Sequence, residues 1–503
     1  MEDRFAPSEP IVESEAAQDK AEEEKYWGPI RRIDHSQIID LAKNATKNPT
    51  SEWRVIKEPR GAFNQSYIVE SDSQQRLNVR VPACGFHPRW NEVDAKLLHD
   101  TALGMEWIRQ RTGLPIPELV SYDASLNNEI GAPYILMSYI NGKPLNETWP
   151  GNGDDPAEVH EQRLKVLRQL SRLVVKFSSL QFDRFGALTF PIGDNENPGN
   201  PKDPIIDEAL RLKDSNIFTI HRKFFGLPVD RSLAELVATR KEYAESVCEE
   251  KRRYHEAVAA AKNLRPRSSA SVESKNKSDV VAGYHCLWAM MQDAFLAVAR
   301  LGANEPEFAL MQSDFNPQNI LVNEDHEIVG LIDFDCTEAI PRQMAWCCVP
   351  HWLAADWNDD YMWPAEGGVL QHMSPEEFGM YRVEYCRLLR EACEHDEGLS
   401  DHRFSSKSHI YRSLLSSYED FDKIKGFVSN VMAEILPRNV KSLDSYAERI
   451  GKVGLQKGEE AWLQRRLEEY LRPDSCVAAV RTSEAQQDSP PAGGQRAGGR
   501  ALE

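Results

Sequence analysis

The stretch FALMQSDFNPQNILVNEDHEIVGLIDFD, residues 308–335, limits the fold more than any other part of the chain. Two apolar runs, Asn319 to Val322 and Ile328 to Phe334, flank the polar run Asn323 to Glu327. That pattern predicts a β-hairpin with a five-residue loop. With Asp325 at the loop centre, Asn319 faces Leu331, and Asp333 lies two residues beyond that pairing on the same side of the loop. Asp314 sits in the connection leading into the first strand. Two carboxylates and one amide therefore converge at one hairpin mouth without any distant pairing being assumed. Mg²⁺ takes oxygen ligands and usually keeps waters and substrate phosphates in its shell, so this donor set suits it.

The rest of the chain reads as sheet first and helix afterwards. Asn64 to Glu70 and Leu77 to Val81 are rich in β-branched and aromatic residues and are joined by a polar turn, which suits a hairpin. Along the second of these strands Arg80 alternates with Val79 and Val81, so apolar neighbours facing a core aim the arginine the other way, toward a cleft. Glu92 to Arg111 reads as a helix, and Tyr134 to Ile140 as a short apolar strand ending at Asn141-Gly142. Asp155 before Pro156 is a helix start, and Leu164, Leu167, Leu170, Val174 and Phe177 recur on one face of that helix. Ser232 and Glu235 open a charge-rich helical excursion, and a further helix runs from about Val280 to Leu301.

Composition narrows the function classes. With 60 Lys and Arg against 79 Asp and Glu the net charge is −19, and the pI is near 5.3. Such a chain is a poor ligand for nucleic acid or an anionic membrane, and no basic patch offsets the total. Nine cysteines, an odd number with no C-x-x-C spacing, read as reduced thiols rather than a disulfide or zinc framework. The vicinal pair Cys347-Cys348 reads as small buried residues. The acidic N-terminal run has neither a signal-like apolar segment nor an Arg-rich character, and no stretch of eighteen apolar residues is present. The expectation is a soluble cytoplasmic protein.

The ordered motifs resemble the aminoglycoside phosphotransferase family, in particular its divergent eukaryotic branch found in fungi. QSDFNPQNILV resembles that family's catalytic loop, and VGLIDFD resembles its metal-binding segment. Gly61-Ala-Phe-Asn64 resembles its phosphate loop, LNVRVP the strand carrying the phosphate-pairing base, RTGLPIPELVSYD its T-x-x-P-V-P segment and APYILMSYINGKPL its hinge strand. The resemblance implies an α+β, bilobal protein-kinase-like fold. Residues 1–25 would be an acidic tail, 26–49 a helical extension, 50–140 the nucleotide-binding lobe, 141–471 a mostly helical lobe with a helical insertion at about 205–278, and 472–503 a second tail.

The resemblance also implies roles. Asp314 would orient the acceptor hydroxyl and take its proton, while Asn319 and Asp333 would hold Mg²⁺ on the nucleotide phosphates. Gly61, Asn64 and Arg80 would contact phosphate, and Met137, Ser138 and Ile140 would line the adenine slot. Gln312 and Asn316 stand where the family usually has histidines, Arg80 where it usually has lysine, and Thr101 where it usually has the glutamate that pairs with that base. Asp100, beside Thr101, is the supporting acid that a shift of one residue would bring to Arg80. Trp352, Asp356 and Trp357 form an aromatic and acidic set suited to an amine-bearing acceptor.

The activity this implies is ATP- or GTP- and Mg²⁺-dependent phosphorylation of a hydroxyl on a small molecule, by direct in-line transfer, with no nucleic-acid or membrane partner. Two alternatives stand beside it. One is a catalytically impaired, pseudokinase-like nucleotide-binding or scaffold protein; the other is a protein kinase, disfavoured because no A-P-E segment comes after Asp333.

Overall fold

The structure is a computed structural model; it describes residues 26–46, 50–151, 155–184, 186–192, 198–207, 270–299, 308–311, 314–335, 337–358, 361, 363, 373–394, 399–417, 421–437, 440 and 442–474. The expected tail at 1–25, most of the expected insertion with its Ser232–Glu235 capping box, nearly all of the expected tail at 472–503, and Gln312 lie outside the described residues. The chain divides into two compact units, the first drawn from Met1–Asp230 and Phe308–Ile340 and the second from Arg231–Glu307 and Pro341–Glu503.

The first unit holds the sheets. A five-stranded sheet has the order β1 (Trp53–Lys57), β2 (Asn64–Ser71), β3 (Arg76–Pro82), β5 (Tyr134–Ser138) and β4 (Leu119–Asp123). Its strands carry alternating apolar residues. Tyr67, Val69, Leu77, Val79, Val81 and Leu136 pack against Ile38, Leu41 and Ala42 of helix α1 (His35–Thr46), and the Tyr67 hydroxyl donates to the Ile30 carbonyl at 2.6 Å. Burial of that face fixes the register, because a slip of one residue would turn the whole apolar set outward. Arg80, between Val79 and Val81, accordingly leaves the core face.

Helix α2 (Glu92–Thr112) begins where the Asn91 side chain accepts from the Val93 and Asp94 amides at 2.8 and 3.0 Å. It stops at Gly113, whose φ of +60° suits a residue without a Cβ. Its buried Glu106 accepts from Arg109 and from the Leu119 amide at 3.2 Å, tying the helix to the start of β4.

The chain then forms β6 (Lys143–Pro144), the short helix α3 (Leu145–Thr148) and helix α4 (Pro156–Val174), the last capped by Asp155, whose side chain accepts from the Ala157 amide at 2.8 Å. A second five-stranded sheet has the order β7 (Gln181–Phe182), β10 (Phe308–Met311), β13 (Glu338–Pro341), β8 (Gly186–Thr189) and β9 (Ile205–Asp207). A three-stranded sheet has the order β12 (Ile328–Leu331), β11 (Ile320–Val322) and β6.

The second unit is helical in its described residues: α5 (Ala270–Ala299), α6 (Pro375–Cys393), α7 (Ser408–Ser416), α8 (Phe421–Ile435), α9 (Leu443–Val453) and α10 (Lys457–Leu471). Helix α5 begins ten residues before the expected start at Val280. No described helix is long and apolar enough to cross a membrane. Sheet-rich N-terminal and helical C-terminal parts make a mixed α+β fold, as the sequence predicts.

Candidate active site

The expected hairpin forms with one correction to its register. Val322 pairs with Ile328 across the five-residue loop, but Leu321 pairs with Gly330 and Ile320 with Leu331. Val329 is the extra residue of a bulge, and it moves every later pairing by one. Asn319 therefore lies opposite Ile332, whose amide donates to the Asn319 carbonyl at 3.0 Å, and not opposite Leu331. Asp333 comes next, with a left-handed backbone at φ +64°.

A short 3₁₀ turn, Pro317–Asn319, carries the chain from Asp314 into β11. Buried Asn319 folds back over that turn, its Nδ2 donating to the Asp314 carbonyl at 2.8 Å and to Oδ2 at 3.0 Å. Asn316 Nδ2 donates to Asp314 Oδ1, and Gln318 Nε2 reaches Oδ2 at 3.4 Å. Amide donors on both oxygens fix the carboxylate as an acceptor. With its nitrogen committed to Asp314, Asn319 keeps its amide oxygen for another partner.

Asp333 and Arg80 meet at the same place, Arg80 Nη2 lying 3.6 Å from Asp333 Oδ1. Burial of the Asp333 carboxylate, and then the charge of Asp335, push its pKa up to about 6 against the pull of Arg80. The side chain still keeps 37 % of its surface accessible, a route by which a cation can reach it. Relief of that repulsion by a divalent ion is favourable, so the donors present fit Mg²⁺. Among the described residues no group of three or more His, Cys, Asp or Glu side chains could hold a metal by itself. An ion here would complete its shell with waters and phosphate oxygens, as Mg²⁺ commonly does.

The strongest contact in the site is one that motif spacing does not indicate. Arg80 Nη1 donates to Asp335 Oδ1 at 2.8 Å and Nη2 donates to Oδ2, a fork-to-fork pair in which each side chain is only 15 % exposed. Asn64, with its amide turned so that oxygen meets donors, accepts from Arg80 Nη2 at 2.7 Å and Nε at 3.3 Å. Arg80, Asn64 and Asp335 line a small open concavity together with Pro82, Leu97, Leu98, Thr101 and Ile135. The signal for Asp335 was present in Asp333-Phe-Asp335, where two acids flank a buried aromatic residue.

Other expected positions need correcting. Asp100 does not reach Arg80; its carboxylate binds Lys96, the Thr189 hydroxyl at 3.0 Å and the Phe190 amide at 2.7 Å. Gly61 donates its N–H to the Asn64 carbonyl at 2.9 Å, so that group is not aimed at a phosphate. In the hinge, Met137 is buried, and the Ser138 and Tyr139 amides donate to the Glu118 and Arg76 carbonyls at 2.9 and 3.2 Å. Ile140 is the hinge residue that comes to the β11–β12 hairpin: a Cβ on Gly330 would lie 2.8 Å from its Cγ2. Gly142 and Gly330 together let the hinge lie directly on β11 and β12, where side chains would hold it off.

The expected acceptor residues belong to the second unit and are occupied there. Trp352 is 1 % exposed core, and Asp356 is gripped by the Arg382 guanidinium at 2.5 and 2.8 Å. Trp357 stacks edge-on against His409 with ring centroids 4.9 Å apart. Aromatic density after the hairpin here builds a core and an ion pair rather than an open amine pocket. Cys347 and Cys348 are buried free thiols, as expected.

An Asp–Asn pair at the mouth of a hairpin, a following aspartate and a basic strand residue thus stand together in one part of the α+β fold. The model of the phosphotransferase enzyme family, APH, matches residues 55–361, and the chain belongs to that family. Curated relatives include Altered inheritance of mitochondria protein 9, mitochondrial, from two yeasts. The Zygosaccharomyces rouxii protein is 28 % identical over 184 residues, 35 % of this chain and 28 % of the relative. The Lachancea thermotolerans protein is 22 % identical over 363 residues, 68 % of this chain and 57 % of the relative. The chain thus spans between about a quarter and somewhat over half the length of these relatives. Among solved structures, the match to Plasmodium vivax ethanolamine kinase covers 86 % of this chain and 97 % of the kinase at 13 % identity, with a TM-score of 0.34. The match to aminoglycoside phosphotransferase APH(4)-Ia covers 87 % and 98 % at 11 % identity, again with a TM-score of 0.34.

The relatives' names overturn the expectation of a cytoplasmic protein, since each is a mitochondrial protein by name. Charge and hydropathy report solubility and partners, not a cellular address, and so could not support that expectation.

Proposed function

We propose that this chain is an ATP- or GTP-dependent phosphotransferase acting on a hydroxyl of a small molecule, with Mg²⁺ as its metal. The observation that carries the reading is the convergence of Asp314, Asn319, Asp333 and Arg80, with Asn319 at 3.0 Å from Asp314 and Arg80 at 3.6 Å from Asp333. Asn319 and Asp333 would hold Mg²⁺, which when bound neutralises charge on the transferred phosphoryl group. Asp314, held as an acceptor by Asn316 and Asn319, would receive the acceptor hydroxyl's proton. Arg80, held by Asn64 and Asp335, would place its positive charge beside the phosphate. The base of the adenine slot would be formed at Ile140, where the hinge lies on Gly330. Positioning and charge neutralisation supply the rate enhancement, and no phosphoenzyme is required.

A second reading, nucleotide binding without transfer, draws on Thr101 in place of a helix carboxylate and on the internal use of the Gly61 and Ser138 amides. Incubating the purified chain with Mg²⁺ and γ-labelled ATP or GTP, against panels of small alcohols and of peptides, separates the readings. Label in a small alcohol, lost in Asp314→Asn, is the expected result. Nucleotide binding with no transfer to any acceptor favours the second reading, and label in peptides alone favours a protein kinase. We also propose a mitochondrial setting, after the relatives' names; organelle fractionation of the native protein tests it.

A further inference from the structure

A phosphate-binding base buried beside a nucleotide needs a carboxylate to fix its direction, because a free guanidinium on a flexible stem samples many orientations and loses entropy on binding. The helix α2 positions at and beside Thr101 do not provide that carboxylate. Thr101 lines the concavity without a charge, Asp100 is taken by Lys96, Thr189 and Phe190, and Glu106 is taken by Arg109 and the Leu119 amide. The carboxylate in two-pronged contact with Arg80 is that of Asp335, two residues after Asp333 on the same exit from the hairpin.

We propose that Asp335 is the positioning residue for Arg80, taking from helix α2 the task of fixing the phosphate-binding base. This rests on the nucleotide reading given above. The swap is chemically matched. Arg80 presents two parallel N–H groups to Asp335 while its Nε edge meets Asn64, whereas a lysine would meet Asp335 at a single point. Asn64 supports the other edge of the same guanidinium at 2.7 Å, so its plane is set from two sides. Because Asp335 and Asp333 lie on one short segment, the direction of the base and the place of the metal-binding oxygen are fixed by the same stretch of backbone. The ion pair is a structural coupling between β3 and the hairpin, and it makes a carboxylate at position 101 unnecessary.

The test is the dissociation constant for Mg·ATP, measured by calorimetry on the full chain, for wild type, Asp335→Asn, Asp335→Glu and the double variant Thr101→Glu with Asp335→Asn. The expected results are at least tenfold weaker binding in Asp335→Asn, a loss of only a few fold in Asp335→Glu, and partial recovery in the double variant, where a carboxylate returns to the concavity from the helix side. A merely structural role would not be rescued from the other wall. If Asp335→Asn does not fold, Asp335→Glu and the double variant still decide: binding restored by a carboxylate from either side supports the role, and a double variant no better than background overturns it. Wild-type affinity in a folded Asp335→Asn overturns the positioning role and leaves the nucleotide reading intact. A wild-type chain that does not bind Mg·ATP overturns both.

Discussion

Asp333 has a left-handed backbone, φ +64°, and a carboxylate that burial and the charge of Asp335 push up to about 6. Both features cost stability, and both are explained if the residue is built to meet a cation. The folded chain holds a proton on Asp333 more readily than the unfolded chain, so ionising it between about pH 4 and 6 lowers stability, and a proton competes with metal in that window. Stabilisation by Mg·nucleotide should therefore be smaller at about pH 5.5 than at about pH 7.5, which paired thermal melts can read. His409 works with the opposite sign. Burial, then Arg382 and Lys407, hold its imidazole well below the usual value of 6.5, and its Nδ1 has no hydrogen-bond partner. The unfolded chain takes up that proton first as pH falls, so stability declines below about pH 6.5, and His409→Phe should flatten part of the decline. At this scale Asp314, Asn319 and Asp333 were legible because a hairpin's own spacing brings them together. The pairing of Asp335 with Arg80 was not, because the two are far apart in the sequence and no local pattern indicates which acid a distant base will choose.

The elements were more legible than their junctions. The β2–β3 hairpin, α2 and α4 lie where alternation, periodicity and caps predicted them, since each signal is local. Asn91 was not singled out, yet its side chain caps two amides of α2; Asn91→Ala should cost about 1 kcal/mol in chemical denaturation. The bulge at Val329 was invisible because apolar runs fix that two strands pair but not that one residue is extra. The crossing of α5 and α9 was equally hidden. Gly283 meets the Ala447 carbonyl so closely that a Cβ would lie 1.8 Å from its oxygen, and a Cβ on Gly451 would lie 1.9 Å from the Asp279 oxygen. Backbone cannot give way as a side-chain tip can, so Gly283→Ala should destabilise the second unit by about 1–3 kcal/mol or more, visible as an earlier unfolding transition.

For the molecule as a whole, the fold class and family could be read from the order of short motifs, none of which was decisive alone. The illegible part depends on tertiary contacts: Trp352 and Asp356, an inviting aromatic and acidic set in sequence, are occupied by core packing and by Arg382. Acceptor chemistry is consequently the part of the function least visible from residues 308–363, while the nucleotide half rests on contacts within a single compact unit. The most direct test of that half is a thermal-shift titration of the chain with ATP and GTP, with and without Mg²⁺, beside Asp333→Ala. A ligand that binds only the folded chain adds about 2.7 kcal/mol at a hundredfold excess over Kd. The account predicts a Mg²⁺-dependent rise in melting temperature that Asp333→Ala abolishes; no rise with either nucleotide, or an equal rise in the variant, would contradict it.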